Sequence, residues 1–384
     1  MTEACPLPKA TEDQLVTTIK KTLANIKKAR PDRVKFPWRL NAHECVTDRL
    51  HGEPTKREIL YFFARGCSWA LMEGGGPCLA CSHYQVSARG ARVTTQAIME
   101  QFTSAVSELP RDREIVSLYN AGSFLNPQEM PSSAFEAILR SIAETPRIRR
   151  VVLESTPDFI TIEKLRDIRK WAGEKDVVIG IGVDASTPHV RRLCVNKGSS
   201  FAAQIGAFKT VRDAGLIPLA YVLLKPIFLG EKEANDEAVK TIELLALQGQ
   251  SCVSLEPVSI QPGSFIDFAA GLGLYEVPSI WSVQDVVRRC ASLSLDLRIG
   301  GWQYRPAPRA SIRDYLCDNG CHIRFLLAIE ELNGTGDPRE LLGLDCACKR
   351  DWRNHCEHDP GFTANVRAFL DATTDEELPR CSAS

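Results

Sequence analysis

Residues 59–84 read ILYFFARGCSWALMEGGGPCLACSHY, and this stretch decides how the rest of the 384-residue chain is understood. The apolar run Ile59-Leu60-Tyr61-Phe62-Phe63 has the length and the aromatic and β-branched content of a buried strand. It leads into Gly66-Cys67, then a glycine-rich insert, Gly74-Gly75-Gly76-Pro77, then Cys78-Leu79-Ala80-Cys81. Three thiols thus leave one strand end and share one loop. A four-iron cluster has four corners, so three cysteinates hold it and leave one iron open to a small molecule. A structural zinc loop, or three unrelated buried cysteines, are the competing readings of a CxxC with a third cysteine set apart.

Composition narrows the class. With 44% apolar and 25% charged residues the chain is ordinarily globular, long enough for one large domain or two smaller ones. No run approaches the 18 or more apolar residues of a membrane span, and Met1-Thr2-Glu3-Ala4-Cys5 lacks a signal pattern, so a cytoplasmic protein with no membrane contact is expected. Fourteen cysteines gather mainly at two places and occur with histidine, which favours metal in a reducing compartment over disulfides. The formal net charge of −1 means that any contact with nucleic acid is local.

Taken in order, residues 12–29 place Leu15, Val16, Ile19, Leu23 and Ile26 on one helical face. From Lys20 to Arg39 there are eight basic residues and one acid, Asp32: either a solvated face and an irregular arm, or a local phosphate-binding patch. Pro31 and Pro37 keep that arm extended. Beyond the cysteine loop the patterns alternate: helix 95–108, strand Glu114–Tyr119, helix 132–144, strand Arg150–Glu154, helix 161–172 and strand Val177–Val183. A long helical segment at 189–214 follows, then strand Pro218–Leu224, helix 231–248, strand Cys252–Pro257, helix 282–292 and strand Leu297–Trp302. This β/α alternation predicts an α/β fold, a partial (β/α)6 TIM-like barrel, with ligands at the C-terminal strand ends. Expected boundaries are 1–55 for a helical N-terminal extension and basic arm, 56–305 for the barrel, and 306–384 for a small cysteine-rich C-terminal domain.

Four successive predicted strands end in polar residues: Asn120-Ala121-Gly122-Ser123, Glu154-Ser155, Asp184-Ala185-Ser186 and Lys225-Pro226. Each set is also good turn chemistry, so no single residue decides the matter. Four such ends in a row suit a ligand-lined barrel mouth.

These residues carry a resemblance to the radical S-adenosylmethionine (SAM) superfamily, in the branch near the elongator catalytic subunit and the methylthiotransferases. Relatives there also set the first cysteine apart from a CxxC pair. The resemblance implies a [4Fe–4S] cluster on Cys67, Cys78 and Cys81, reduced by an electron donor such as flavodoxin or ferredoxin. It implies SAM bound by Asn120, Gly122, Ser123, Glu154, Ser155 and Asp184, and cleaved to a 5′-deoxyadenosyl radical that takes a hydrogen from substrate. Relatives usually have an aromatic residue before the third cysteine; here it is Ala80, which leaves Tyr84 or Trp69 for the adenine side. Gly182-Val183-Asp184 stands where many relatives have Gly-Leu-Glu, and Asn196-Lys197-Gly198 resembles their Asn-Arg-Gly. Tyr221 to Pro226, Leu255-Glu256-Pro257-Val258 and Gln261-Pro262-Gly263 are similar to the radical SAM subunit of archaeosine synthase and its relatives. That likeness implies C–N bond cleavage on a lysine-modified deazaguanine nucleoside of tRNA, with Lys225 or Glu256 near the reacting group. The alternatives are a tailoring enzyme for a small molecule and a non-catalytic zinc scaffold. His83, just past the CxxC, either faces substrate or caps the loop, and the loop role is favoured.

The second cluster, Cys317 and Cys321 followed by Cys346 and Cys348, has the form C-x3-C, 24 residues, C-x-C. Four thiolates close a tetrahedral structural zinc site with no exchangeable position, although the spacing also admits a second iron–sulfur cluster. His322, His355, Cys356 and His358 are spare donors. Cys194, Cys252 and Cys290 read as core residues.

Overall fold

A computed structural model describes residues 5–28, 36–301 and 307–373. Arg30, Pro31 and the centre of the basic arm, together with Trp302 and Cys381, lie outside the described residues.

One eight-stranded sheet in sequential order organises the chain: β1 (Ala42–Leu50), β2 (Glu53–Tyr61), β3 (Ile115–Tyr119), β4 (Arg150–Glu154), β5 (Asp176–Asp184), β6 (Ile217–Leu224), β7 (Cys252–Pro257) and β8 (Asp296–Ile299). β1 pairs antiparallel with β2, and every later neighbour is parallel. The sheet curls into a partial TIM-like barrel with helices outside, as the alternation predicts. It starts earlier than expected: the β1–β2 hairpin begins at Ala42, inside the segment assigned to the N-terminal arm, and crosses residue 55. Polar β1 shows no buried apolar run, because only one of its faces meets the core.

Alternation along each strand separates two environments. Leu60, Val116, Leu118, Val151, Leu153, Ile179, Ala220, Val222, Val253, Leu255 and Ile299 point outward into one core with the helices. Ile59, Ile115, Tyr119, Val152, Val178 and Leu219 point inward and fill the lower barrel. The outer layer comprises α1 (Lys9–Lys28), the short α2 (Ser68–Leu71) and α3 (His83–Val86) in the cysteine loop, then α4 (Thr95–Glu108), α5 (Ser132–Ala143), α6 (Ile162–Ala172), α7 (Phe201–Asp213), α8 (Glu231–Leu247), α9 (Phe265–Gly271) and α10 (Ile280–Cys290). Hydroxyl N-caps start several of them: Thr94, Thr161, Ser200 and Ser264 accept from the backbone N–H three residues on. The expected long helix at 189–214 is divided. A π-helical turn at Val190–Val195 ends on left-handed Asn196, and Ser200 then caps α7.

The C-terminal segment adds α11 (Cys321–Thr335), α12 (Arg339–Gly343), α13 (Cys348–His358) and α14 (Gly361–Thr373). α11 lies against β1, β2 and β8, and its Phe325, Ile329 and Leu332 join the main core. It also satisfies the open edges of the barrel. Asn333 exchanges two bonds with the backbone of Ile299 (2.9 and 2.8 Å), while Arg49 donates to the carbonyls of Leu332 and Asn333 (both 2.9 Å). Arg298 and Arg57 both pair with buried Asp48, at 2.8 and 3.3 Å, so charges close the barrel floor between its first and last strands.

Candidate metal centres and ligand chamber

The cysteine loop is held from two sides. On one side, the Trp69 ring sits against Gly76 and Gly198, and a Cβ built on either glycine falls within 2.7 Å of it. Trp69 Nε1 donates to the Asn196 carbonyl (3.0 Å), Asn196 Nδ2 donates to the Pro77 carbonyl (2.9 Å), and Leu79 N–H donates to the Val195 carbonyl (2.9 Å). These bonds explain why the predicted helix breaks at Asn196: residues 195–198 serve as the loop's seat.

On the other side stands Glu129, 3% exposed. Its Oε1 accepts from Ser68 N–H and Asn126 Nδ2, both at 2.8 Å, and its Oε2 from Ser123 N–H at 2.5 Å. One carboxylate therefore joins the residue after Cys67 to the loop Asn120–Ser123. Gly122 is required there, because a Cβ would lie 2.0 Å from Glu129 Oε2 and 2.9 Å from Cys67 Cα. Sequence reasoning missed Glu129 and Asn126. They follow a strand end by several residues, and only their burial distinguishes them from an ordinary turn.

Cys67, Cys78 and Cys81 are near enough to perturb one another electrostatically, and burial pushes Cys67 and Cys81 up to about 11 and Cys78 higher still. Their thiols are only half-buried from solvent although surrounded by protein, which is the condition of groups lining a hollow. Among the described residues, the one set of three or more potential ligands whose donor atoms all gather within 4.8 Å is Cys317, Cys321, Cys346 and Cys348. The two sulfur groups thus differ in spacing. Bonds of about 2.3 Å at tetrahedral angles put thiolates about 3.8 Å apart around a single ion. Cys317–Cys346 and Cys321–Cys348 measure 3.7 and 3.5 Å. A cubane gives each thiolate its own iron and holds them further apart. Around the C-terminal set, Asn319 Nδ2 approaches Cys346 Sγ at 3.7 Å, and the Cys348 N–H draws the Cys346 thiol down to about 6. His322 Nδ1 instead accepts from Cys317 N–H (3.2 Å), and His355 approaches Asp359 (3.4 Å).

The strand ends expected to bind ligand converge beside the loop. Ser123 and Ser155 hydroxyls are 2.8 Å apart, and the Phe124 N–H donates to the Glu154 carbonyl. Asn120 Nδ2 bonds the Ser123 carbonyl (3.3 Å), whereas its Oδ1 is buried with no partner. Such an orphaned acceptor fits a ligand N–H. Asp184, in a left-handed conformation, pairs with Lys197 at 2.7 Å. The faces of the Tyr84 ring carry Lys27 and Arg89, at 5.6 and 5.3 Å from its centroid. Lys27 also donates to the Gly76 carbonyl (3.4 Å), so the end of α1 rests on the cysteine loop.

Below the loop lies a polar chamber that sequence reasoning saw only in part. Tyr119 and Tyr221 face inward from β3 and β6 and join by their hydroxyls at 3.0 Å. Gly180 makes room, since a Cβ there would lie 2.6 Å from the Tyr221 ring. Glu154 from β4 and Glu256 from β7 also point inward, near enough for the charge of Glu256 to act on Glu154. Burial, then the charge of Glu256, pushes Glu154 up to about 7, against a partial downward pull from His83 and Arg57. Burial also raises Glu256, which accepts from Ser254 Oγ at 2.6 Å. His83 is pushed down by burial and lies within electrostatic reach of Glu154, on the chamber side of the loop. Lys225 behaves differently. Its ammonium pairs with Glu231 at the start of α8 (2.6 Å), among the helices and apart from Glu256. The signal for this chamber was strand parity: Tyr119, Glu154, Tyr221 and Glu256 all occupy inward positions.

No protein-family model matches the chain. It is similar to the archaeosine synthase subunit beta of Methanosarcina acetivorans, 26% identical over 312 residues, which cover 81% of this chain and 88% of that protein. An uncharacterized protein of Methanocaldococcus jannaschii is 28% identical over 303 residues, 76% of this chain and 80% of that one. Among solved structures, methylornithine synthase superposes with a TM-score of 0.45 at 13% identity, over 77% of this chain and 74% of that chain. The Methanosarcina acetivorans protein and a Thermococcus kodakarensis relative, 26% identical over 242 residues (62% of this chain, 74% of that protein), bear the name to which the motif residues pointed. Among the described residues, no helix is long and apolar enough to cross a membrane.

Proposed function

We propose that this chain is a radical SAM enzyme in which Cys67, Cys78 and Cys81 hold a [4Fe–4S] cluster and the loop Asn120–Ser123, with Ser155 and Asp184, borders SAM. The observation that carries this reading is the junction made by Glu129, which fixes the cysteine loop and the Asn120–Ser123 loop to each other at the mouth of a polar chamber. When bound, cluster and SAM supply hydrogen-atom abstraction, chemistry that no side chain performs alone. The protein's own work is positional. Trp69 and Glu129 hold the loop, Asn120 Oδ1 offers an unpaired acceptor to a ligand amine, and the chamber walls exclude water from the reacting group.

Glu154 and Glu256 give the chamber acidic walls, suited to a substrate bearing an amine. With the relatives named archaeosine synthase subunit beta, this supports the lysine-modified deazaguanine nucleoside of tRNA as the substrate. On this reading Glu256 meets its amino group, and Lys225 acts structurally through Glu231. The close sulfur pairs of the C-terminal cysteines, 3.5 and 3.7 Å, support a single structural ion there, and we propose that it is zinc.

The test is anaerobic reconstitution and reduction in the presence of SAM, reading metal content and 5′-deoxyadenosine. The expected result is about four irons per chain on the first loop, one zinc that survives Cys78→Ala, and 5′-deoxyadenosine that vanishes in that variant. Zinc alone, with no SAM cleavage after reconstitution, would overturn the reading.

A further inference from the structure

A second site lies outside the barrel. The stripe Trp281, Asp285 and Arg288 on α10, at helical spacings of four and three, faces the stripe Lys349, Trp352 and Arg353 on α13 across a cleft of about 500 Å3. The chain between α12 and α13, Leu344 and Asp345, closes one end. The cleft is built rather than incidental. Gln284 donates both amide hydrogens to the carbonyls of Leu341 and Leu344 (2.8 Å each), which turns its oxygen to Lys349 Nζ at 2.5 Å. Lys349 is 9% exposed, with its ammonium 5.1 Å from the centroid of the Trp281 ring. Trp352 Nε1 donates to Ser282 Oγ (2.9 Å), which fixes the second indole.

The charges in this cleft do not balance. Three cations line it, Arg288, Lys349 and Arg353, against two carboxylates. Asp285 is engaged by Arg289 (3.6 Å) and Asn235 (3.2 Å), leaving Asp345 as the remaining counter-charge. A buried ammonium whose hydrogen-bond partner is a neutral amide, flanked by two guanidinium groups, gains from an anion with several acceptor oxygens.

We infer that this cleft binds a phosphate group, supplied by the backbone of the RNA substrate. The source rests on the tRNA reading above, whereas the phosphate chemistry does not. The probes are inorganic phosphate, read by Trp fluorescence, and a tRNA transcript, titrated between about 50 and 200 mM salt. The variants are full-length Arg288→Gln/Arg353→Gln, both exposed positions, and a control of equal charge change on α6, Arg166→Gln/Lys170→Gln. Loss of two phosphate contacts is expected to weaken tRNA binding about tenfold and to lower the salt slope by roughly 2, with the control near wild type. SAM cleavage without substrate remains unchanged in the double variant, so failure of the enzyme reading would show separately, in the wild-type protein. If the phosphate response disappears while tRNA binding is unaltered, a free phosphate is the ligand and the RNA source is refuted. Equal behaviour of wild type, double variant and control toward both probes would overturn the site altogether.

Discussion

Replacing Glu129 by Gln tests whether one carboxylate holds the two ligand loops together. The substitution keeps volume and shape and changes one oxygen to an NH2 group. Three donors converge on the native carboxylate: Ser68 N–H, Asn126 Nδ2 and Ser123 N–H. Whichever way the new amide turns, at least one of them meets another donor. A flip of Asn126 gives no relief, because its Oδ1 already accepts from Gln128 N–H (2.9 Å). A lost charge-assisted bond is worth about 1.5–3 kcal/mol and a buried donor left unpaired costs about 1–3 kcal/mol, so a loss of about 3 kcal/mol or more is expected. For a chain of this size that corresponds to a fall of roughly 4 °C or more in Tm. Thermal melts of the apo-protein give the stability term, and iron content after reconstitution gives the functional one. Both should fall, because the donors freed belong to the neighbours of Cys67 and Gly122. A Glu129→Gln protein that melts within about a degree of wild type and takes up full iron would refute the argument.

Two further outcomes follow from the same geometry. In Gly198→Ala the new methyl meets the Trp69 ring, at 2.7 Å by construction, and must displace it; overpacking of about 1–3 kcal/mol and reduced iron uptake are expected. Unchanged Trp69 fluorescence and full iron content would count against the proposed seat. Glu154 gives a pH test: its folded pKa of about 7 lies above the ordinary carboxylate value, so its contribution favours the fold below about 4.5 and is lost as pH rises through 7. Glu154→Gln should therefore stabilise the apo-protein at pH 8, by up to roughly 3 kcal/mol, and leave it near wild type at pH 4. Equal destabilisation at both pH values would show that Glu154 is not held in a desolvated state.

Much of the fold was legible because local patterns agreed with it. Arg150–Glu154 and Cys252–Pro257 are strands with the expected bounds, since each is a short apolar run between turn residues. The β1 hairpin was not legible: its half-polar strand owes its place to pairing with β2 and to cover from α11. The split of 189–214 was hidden too, because nothing local shows that Asn196 must receive Trp69 and bond Pro77.

At the sites, sequence alone determined the donor atoms. Sulfur chemistry and spacing singled out both cysteine sets, and strand-end position singled out Asn120, Ser123, Glu154, Asp184 and Lys225, since these depend on residue type and order along the chain, whereas Glu256 came from the resemblance of its segment. Tertiary structure decided which groups meet. Lys225 follows the end of β6, where a ligand contact was expected, yet a buried Glu231 holds it among the helices, while Glu256 points inward from β7. Glu129 belonged to no motif and nothing local paired Tyr119 with Tyr221, because their roles come from burial and approach across the barrel. The same distinction separates the two sulfur centres. Residue type makes both sets candidate ligands, but only the folded arrangement, with distances of 3.5 and 3.7 Å, shows that the C-terminal four converge on the space of a single ion.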